Sequence, residues 1–190
     1  YHFPDLNPSD AAGYTITITP PVGLGDFATN PVQLGNVDGV VTGTVENPNT
    51  VSGIIMTQDA TVSGYDFRKK GSTLAAYVYL DADNNGVKDV GDEPLANVTI
   101  RLTGTDARGE TVNVDAQTDE NGDVRFIGLY SGTYAFEQIQ PVDFVPGINT
   151  LGNVGGTFGN NGDNVTVSAI ELPVATDGDD YGFAHIIGKI

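Results

Sequence analysis

Apolar residues along this chain recur with a period of two. Val98, Ile100 and Leu102 alternate with Thr99, Arg101 and Thr103, which puts three apolar side chains on one face of an extended strand. The run Leu74 to Leu80, reading LAAYVYL, is short and rich in aromatic and branched residues, and it too predicts a strand. No long apolar stripe at helical spacing is present. Gly (25) and Pro (10) are frequent, and both interrupt helices, glycine through its backbone freedom and proline through its missing N–H. The pattern predicts an all-β chain whose 190 residues suffice for one or two domains with a sizeable core.

The pattern also repeats. Tyr1-His2-Phe3-Pro4-Asp5-Leu6 resembles Val124 to Leu129, and Gly13-Tyr14 ahead of Pro20-Pro21 resembles Gly132-Thr133-Tyr134 ahead of Pro141. Leu34-Gly35-Asn36-Val37 resembles Leu151-Gly152-Asn153-Val154, and Gly64-Tyr65-Asp66-Phe67 resembles Asp180-Tyr181-Gly182-Phe183. The matches keep their order at a spacing of about 115 to 125 residues, the size of one sandwich domain. Residues 1 to 69 are therefore expected to be the C-terminal part of an incomplete sandwich. Residues 70 to 187 are expected to form a complete one, and residues 188 to 190 a tail or the start of a next unit. On this reading the chain opens inside a domain and is a segment of something longer.

Between the two predicted strands of the complete unit lies DADNNGVKDVGDE, residues 81–93. Asp81, Asp83, Asn85, Asp89 and Asp92 carry side-chain oxygens at recurring positions, and Gly86 occupies the sixth place. A hard divalent cation takes about six to eight oxygens at short range, and alternate residues of a tight loop can turn theirs inward. The Val87 carbonyl can supply another, and Gly86 permits the sharp turn. Asp92 stands at the closing position, with Glu93 one residue later as the alternative closing ligand. Because strands rather than helices flank the loop, the expected calcium ion ties strand ends together. A helix–loop–helix sensor is not expected.

Charge narrows the partners. The net charge is −17, from 25 acidic and 8 basic residues. Nucleic acid and anionic membrane surfaces would be repelled, while cation binding is favoured. No stretch is long and apolar enough to span a bilayer, so membrane insertion of this segment is not expected. Cysteine is absent, which removes a disulfide framework without arguing against secretion. Catalysis is not expected either. The two histidines, His2 and His185, have no cysteine or Gly-x-Ser-x-Gly serine to serve. His185 reads as an exposed or half-buried strand residue, and Glu137 as an exposed one.

Several motifs now stand in order. After the Asp81–Glu93 loop come Pro94-Leu95-Ala96-Asn97-Val98, Thr118-Asp119-Glu120-Asn121-Gly122, Val124-Arg125-Phe126, Gly132-Thr133-Tyr134-Ala135-Phe136, Pro141 and Tyr181-Gly182-Phe183. The complete unit resembles the SdrD B-like family, the B-type repeat of serine-aspartate-repeat surface adhesins. The likeness covers about 115 residues of the second unit and the later half of the first. It departs where Asp92 replaces the usual glutamate and Asn97 a common glycine. The resemblance implies tandem Ig-like Greek-key β-sandwiches, bound Ca2+ and an extracellular place, on a bacterial cell surface or secreted.

Other acidic turns are weaker candidates for ions. Asp119, Asn121 and Asp123 surround one glycine turn, and Asn160, Asn161, Asp163 and Asn164 lie in another, but such residues are ordinary in turns. Asp177, Asp179 and Asp180 make the better second site, since three carboxylates so close repel unless a cation compensates. The functional expectation is a structural, calcium-stiffened repeat of a long adhesin or extracellular fibre, with neighbouring repeats as its partners. Two rivals stand beside it. An adhesive or carbohydrate-binding module for a host or surface ligand would need an exposed aromatic platform, yet the chain has no tryptophan. A fibre subunit could polymerise with like chains by strand complementation across an open sheet edge.

Overall fold

Alternation along the strands decides which side chains meet. In the computed structural model, which describes residue 3 and residues 5–187, every regular element is a β-strand. No helix among the described residues is long and apolar enough to cross a membrane. Tyr1, His2, Pro4 and residues 188–190 lie outside the described residues, and with them the opening of the first repeat match and the expected tail. The chain divides into two units, one of residues 1–21 and 25–70 and one of residues 22–24 and 71–190.

The second unit is a sandwich of two sheets. In the first sheet, Ser72–Leu80 lies between Asp123–Leu129, which is antiparallel to it, and Asp177–Ile187, which is parallel. Glu93–Pro94 extends the pairing of Ser72–Leu80, and Phe144–Pro146 pairs with Asp177–Ile187. The second sheet runs Thr111–Gln117, Thr99–Asp106, Gly132–Gln138, Asn164–Leu172, Thr157–Asn161, with every neighbour antiparallel. Both strands foreseen from the apolar pattern are present, as Ser72–Leu80 and Thr99–Asp106.

Period two builds the core. Leu74, Ala76 and Val78 face inward from one sheet, and Ile100, Leu102, Tyr134, Phe136, Val165 and Val167 meet them from the other. Phe136 is fully buried and packs edge-on against Tyr181, with ring centroids 5.3 Å apart, and against Phe126 at 5.9 Å. Such aromatic contacts add about 0.5–1.5 kcal/mol each beyond area burial.

The first unit carries the same internal wiring on a smaller core of Val32, Val37, Val51 and Ile54. Tyr14 pairs with Ile54 and Ile16 with Val51 across an irregular register. Tyr134 pairs with Ile170 and Phe136 with Val167 across the same irregularity. Gly35 lies against the ring of Tyr65, where a Cβ would come within 2.5 Å of Cδ2, and Gly152 lies in the same way against Tyr181. Each tyrosine donates its hydroxyl to a carbonyl of the preceding loop, Tyr65 to Thr42 at 2.8 Å and Tyr181 to Gly155 at 2.6 Å. The repeat seen in the sequence is therefore a repeat of contacts as well as of letters.

Candidate metal centre

The 81–93 loop leaves the end of a central strand. Asp81 is anchored there by its N–H, which donates to the His185 carbonyl at 2.8 Å, and the residue is only 1% exposed. Its carboxylate is turned into the loop. Oδ1 accepts from the Asn85 N–H at 3.1 Å and Oδ2 from the Gly86 N–H at 2.8 Å. Asp83 accepts from the Asn85 N–H and, through Oδ2, from the Asn85 side-chain amide at 3.0 Å. That same amide donates to Asp89 at 3.2 Å, so Asp83 and Asp89 share one NH2 group between them. Asn85 Oδ1 accepts the Val87 N–H at 2.7 Å.

Asp92 closes the loop from the other side. Its two oxygens accept from the N–H groups of Ala82 at 2.9 Å and Asp89 at 3.0 Å. These two bonds hold its carboxyl below the usual carboxylate range. Glu93 lies outside this circle, exposed on the short strand that pairs with Leu80. Gly86 has φ +80°, and a Cβ there would come within 2.6 Å of the Ile148 side chain. Both facts demand glycine.

The loop thus gathers Asp81, Asp83, Asn85, Asp89 and Asp92, all hard oxygen donors, around its own N–H groups. As placed, no three His, Cys, Asp or Glu side chains among the described residues stand together as a ready metal cluster. Sequence reasoning missed two features around the loop. Tyr79 is fully buried and its hydroxyl has no hydrogen-bond partner. Burial, then the nearby Asp81 carboxylate, raises its ionisation to about 12. Lys88 reaches out of the loop to the Asn121 carbonyl at 3.2 Å and lies 5.2 Å above the centre of the Tyr77 ring. An alternating apolar pattern carries no signal for either contact.

The weaker candidates separate. Asp177, Asp179 and Asp180 open the last strand, Asp177–Ile187. Asp179 forms an ion pair with Arg125 at 3.3 Å, and its N–H donates to Asn153 Oδ1 at 3.0 Å. Asp180 adopts φ +70°. Asp119, Asp123, Asp179 and Asp180 line one groove of about 660 Å³ with Arg125, so two clusters distant in sequence share it. Asp119 accepts from the Asn121 and Asp123 N–H groups, as an ordinary turn residue does. Asn161 and Asn164 both donate their amides to Glu137, at 2.7 and 3.0 Å.

Two expected exposures are overturned. Glu137 is not an exposed strand residue: its side chain is 16% exposed and also meets Arg101 at 3.4 Å. It lies on the central strand of its sheet, so both neighbouring strands crowd it. His185 is fully buried. Tyr181, Phe183 and His185 face inward on alternate positions, and Phe144 packs edge-on over the imidazole with centroids 6.2 Å apart. Gln140 Nε2 lies 3.4 Å from its Nδ1.

The sandwich with its strand-to-strand acidic loop defines an Ig-like repeat domain of the B type. A family model described as the SdrD B-like domain matches residues 72–182. The chain belongs to that family. The serine-aspartate repeat-containing protein D of Staphylococcus aureus (strain Newman) is 32% identical over 123 residues, covering 65% of this chain and 9% of that protein. The serine-aspartate repeat-containing protein C of the same strain is 30% identical over 102 residues, covering 54% of this chain and 10% of that one. The chain therefore spans about a tenth of the length of these relatives. Among solved structures, the pilus adhesin (RrgA) from Streptococcus pneumoniae aligns with TM-score 0.37 and 11% identity, covering 74% of this chain and 24% of that one.

Proposed function

We propose that this chain is a structural, calcium-stiffened repeat segment of a long bacterial cell-surface adhesin or extracellular fibre, with neighbouring repeats as its partners and no catalytic role. Family membership supports the repeat reading. The observation that carries the calcium reading is the closed 81–93 turn, in which five oxygen-bearing side chains fold onto one loop at the end of a central strand. Asp81, Asp83, Asp89 and Asp92, with the Asn85 side-chain oxygen and the Val87 carbonyl, make a donor set suited to a hard cation. Binding would require the Asn85 amide to turn its oxygen inward. The carboxylates would close around the ion in place of the N–H groups they now accept from. The unpartnered Tyr79 hydroxyl gives the buried side of the loop a spare polar atom. Asp177, Asp179 and Asp180 are a poorer second site, because Arg125 already compensates Asp179.

An ion that binds the folded loop and not the unfolded chain stabilises by linkage. At ~1 mM calcium, a site with a Kd of ~10 µM adds about 2.7 kcal/mol. Thermal melts of the chain in calcium and in EDTA test this. We expect a lower melting temperature in EDTA, and no difference between the two in the Asp83→Ala/Asp89→Ala double variant, which alters only exposed loop residues. Identical melts of the unaltered chain in the two buffers would sink the calcium reading.

A further inference from the structure

The first unit holds a constellation that no part of the calcium reading uses. Lys69 lies on the short strand Lys69–Lys70, paired with Gly25–Asp26 so that Lys69 faces Asp26 directly. Its side chain is 9% exposed. Its Nζ meets three acceptors: a carboxylate oxygen of Asp26, Oδ1 of Asn49 at 2.5 Å, and the Pro48 carbonyl at 3.3 Å. Asn49 is itself held in place. Its N–H donates to Asn47 Oδ1 at 2.9 Å, and its carbonyl accepts the Ile18 N–H at 2.9 Å. The Lys69 amine is thus held against both a carboxamide and a carboxylate by strand pairing and a hairpin turn.

We propose that Lys69 and Asn49 are joined by an amide bond that forms within the folded chain, with Asp26 moving the protons. The carboxamide carbon is one C=O bond, about 1.2 Å, from the oxygen that touches Nζ. The nitrogen therefore sits near the separation of about 3–3.5 Å from which such groups react. Asp26 takes a proton from the Lys69 ammonium, leaving a neutral amine with a free lone pair. Nζ adds to Asn49 Cγ, and the new C–N bond forms. The acid form of Asp26 passes its proton to the departing Nδ2, the Cγ–Nδ2 bond breaks and ammonia leaves, and the regenerated Asp26 carboxylate takes the second proton from Nζ, which leaves a neutral secondary amide. One amine and one primary amide become one secondary amide and ammonia, so the step balances without oxidant, reductant or cofactor.

The physical gain is the removal of a buried charge. A nine-tenths buried ammonium has lost most of its hydration, and one exposed carboxylate offsets only part of that loss. Conversion to an amide abolishes the ammonium and keeps a donor and an acceptor for the surrounding polar atoms. It also closes a covalent loop between positions 20 apart in sequence, which restricts the unfolded chain as a disulfide would in a chain that has no cysteine. Among the described residues the second unit does not repeat the feature. The repeat sets Lys69 where the second unit has His185, two residues past each Phe of the matched Tyr-x-Phe strands.

Intact-mass spectrometry of the full chain, followed by peptide mapping, tests the bond. We expect a mass lower than the sequence mass by one ammonia, and a branched peptide linking Lys69 to Asn49. The Lys69→Arg chain, which keeps the cation beside Asp26, should show the full mass, as should Asn49→Ala. Asp26→Ala should slow or abolish the loss. An undiminished mass for the unaltered chain would overturn the proposal and leave the contact as an ion pair. An ammonia deficit that persists in Lys69→Arg, or maps to the Asn85-Gly86, Asn121-Gly122 or Asn161-Gly162 steps as a cyclised asparagine, would overturn it equally.

Discussion

His185 should make the second unit acid-sensitive in a defined window. The imidazole is fully buried, and desolvation pushes its ionisation down from 6.5 to about 4, against a small opposing contribution from a hydrogen bond to the Val145 backbone. Among the described residues Gln140 and Phe144 face it, and no carboxylate acts on the ring to hold a proton there. The folded state keeps the ring neutral, while the unfolded chain takes up a proton as pH falls through 6.5. The stability contribution is therefore fully present above pH 6.5. It is lost progressively as pH falls, and the loss is complete below about 4. At about 1.4 kcal/mol per pH unit, the gap between the two values amounts to about 3 kcal/mol. That corresponds to a drop in melting temperature on the order of 10 °C for a domain of this size. Asp92, Asp106, Asp115, Asp119 and Glu137 have carboxyls held below their usual range, so their own losses fall at lower pH. Urea unfolding followed by tyrosine fluorescence between pH 7.5 and 4.5, with calcium held fixed, reads the slope. The His185→Gln chain should lose most of the slope between pH 6.5 and 5. Stability that stays flat over that range, or a folded-state imidazole resonance that titrates near 6.5, would refute the reasoning.

Two further substitutions probe the packing and the loop separately. Phe136→Ala removes a fully buried ring that touches Phe126 and Tyr181, and calorimetry should show a loss of about 3–5 kcal/mol. A loss under about 1 kcal/mol would mean that the two sheets do not close on this ring. Gly86→Ala forces a side chain into a left-handed backbone against Ile148. It should cost at least about 1–2 kcal/mol even in EDTA, and a neutral outcome there would show that the loop adopts another backbone without calcium.

Much of this protein was open to local reading because strands and turns are local in cause. Val98, Ile100 and Leu102 alternate with polar residues, and that alone specified a one-sided strand. The spacing of Asp81, Asp83, Asn85 and Gly86 announced an inward-facing turn, since short polar side chains bond their neighbours' N–H groups and glycine supplies the positive φ. The choice between Asp92 and Glu93 was not open in this way. Both can reach inward in an extended chain, and only the fold shows that Glu93 pairs with Leu80 on an exposed short strand while Asp92 accepts from the Ala82 and Asp89 N–H groups. The burial of His185 was hidden for a similar reason. Its own strand says only which face it shares with Tyr181 and Phe183, and the cover comes from Phe144, some forty residues earlier.

By itself, then, the sequence determined the strand class, the repeat and the acidic loop, because periodicity and turn chemistry act over a few residues. Tertiary structure alone decided which polar groups lose water and whom they meet. Arg125 answers Asp179 across the intervening Ser72–Leu80 strand, Asn161 and Asn164 meet at Glu137, and Lys69 reaches Asn49 and Asp26. Those encounters depend on register and on the approach of distant segments, and desolvation, which sets their chemistry, exists only once the sheets have closed.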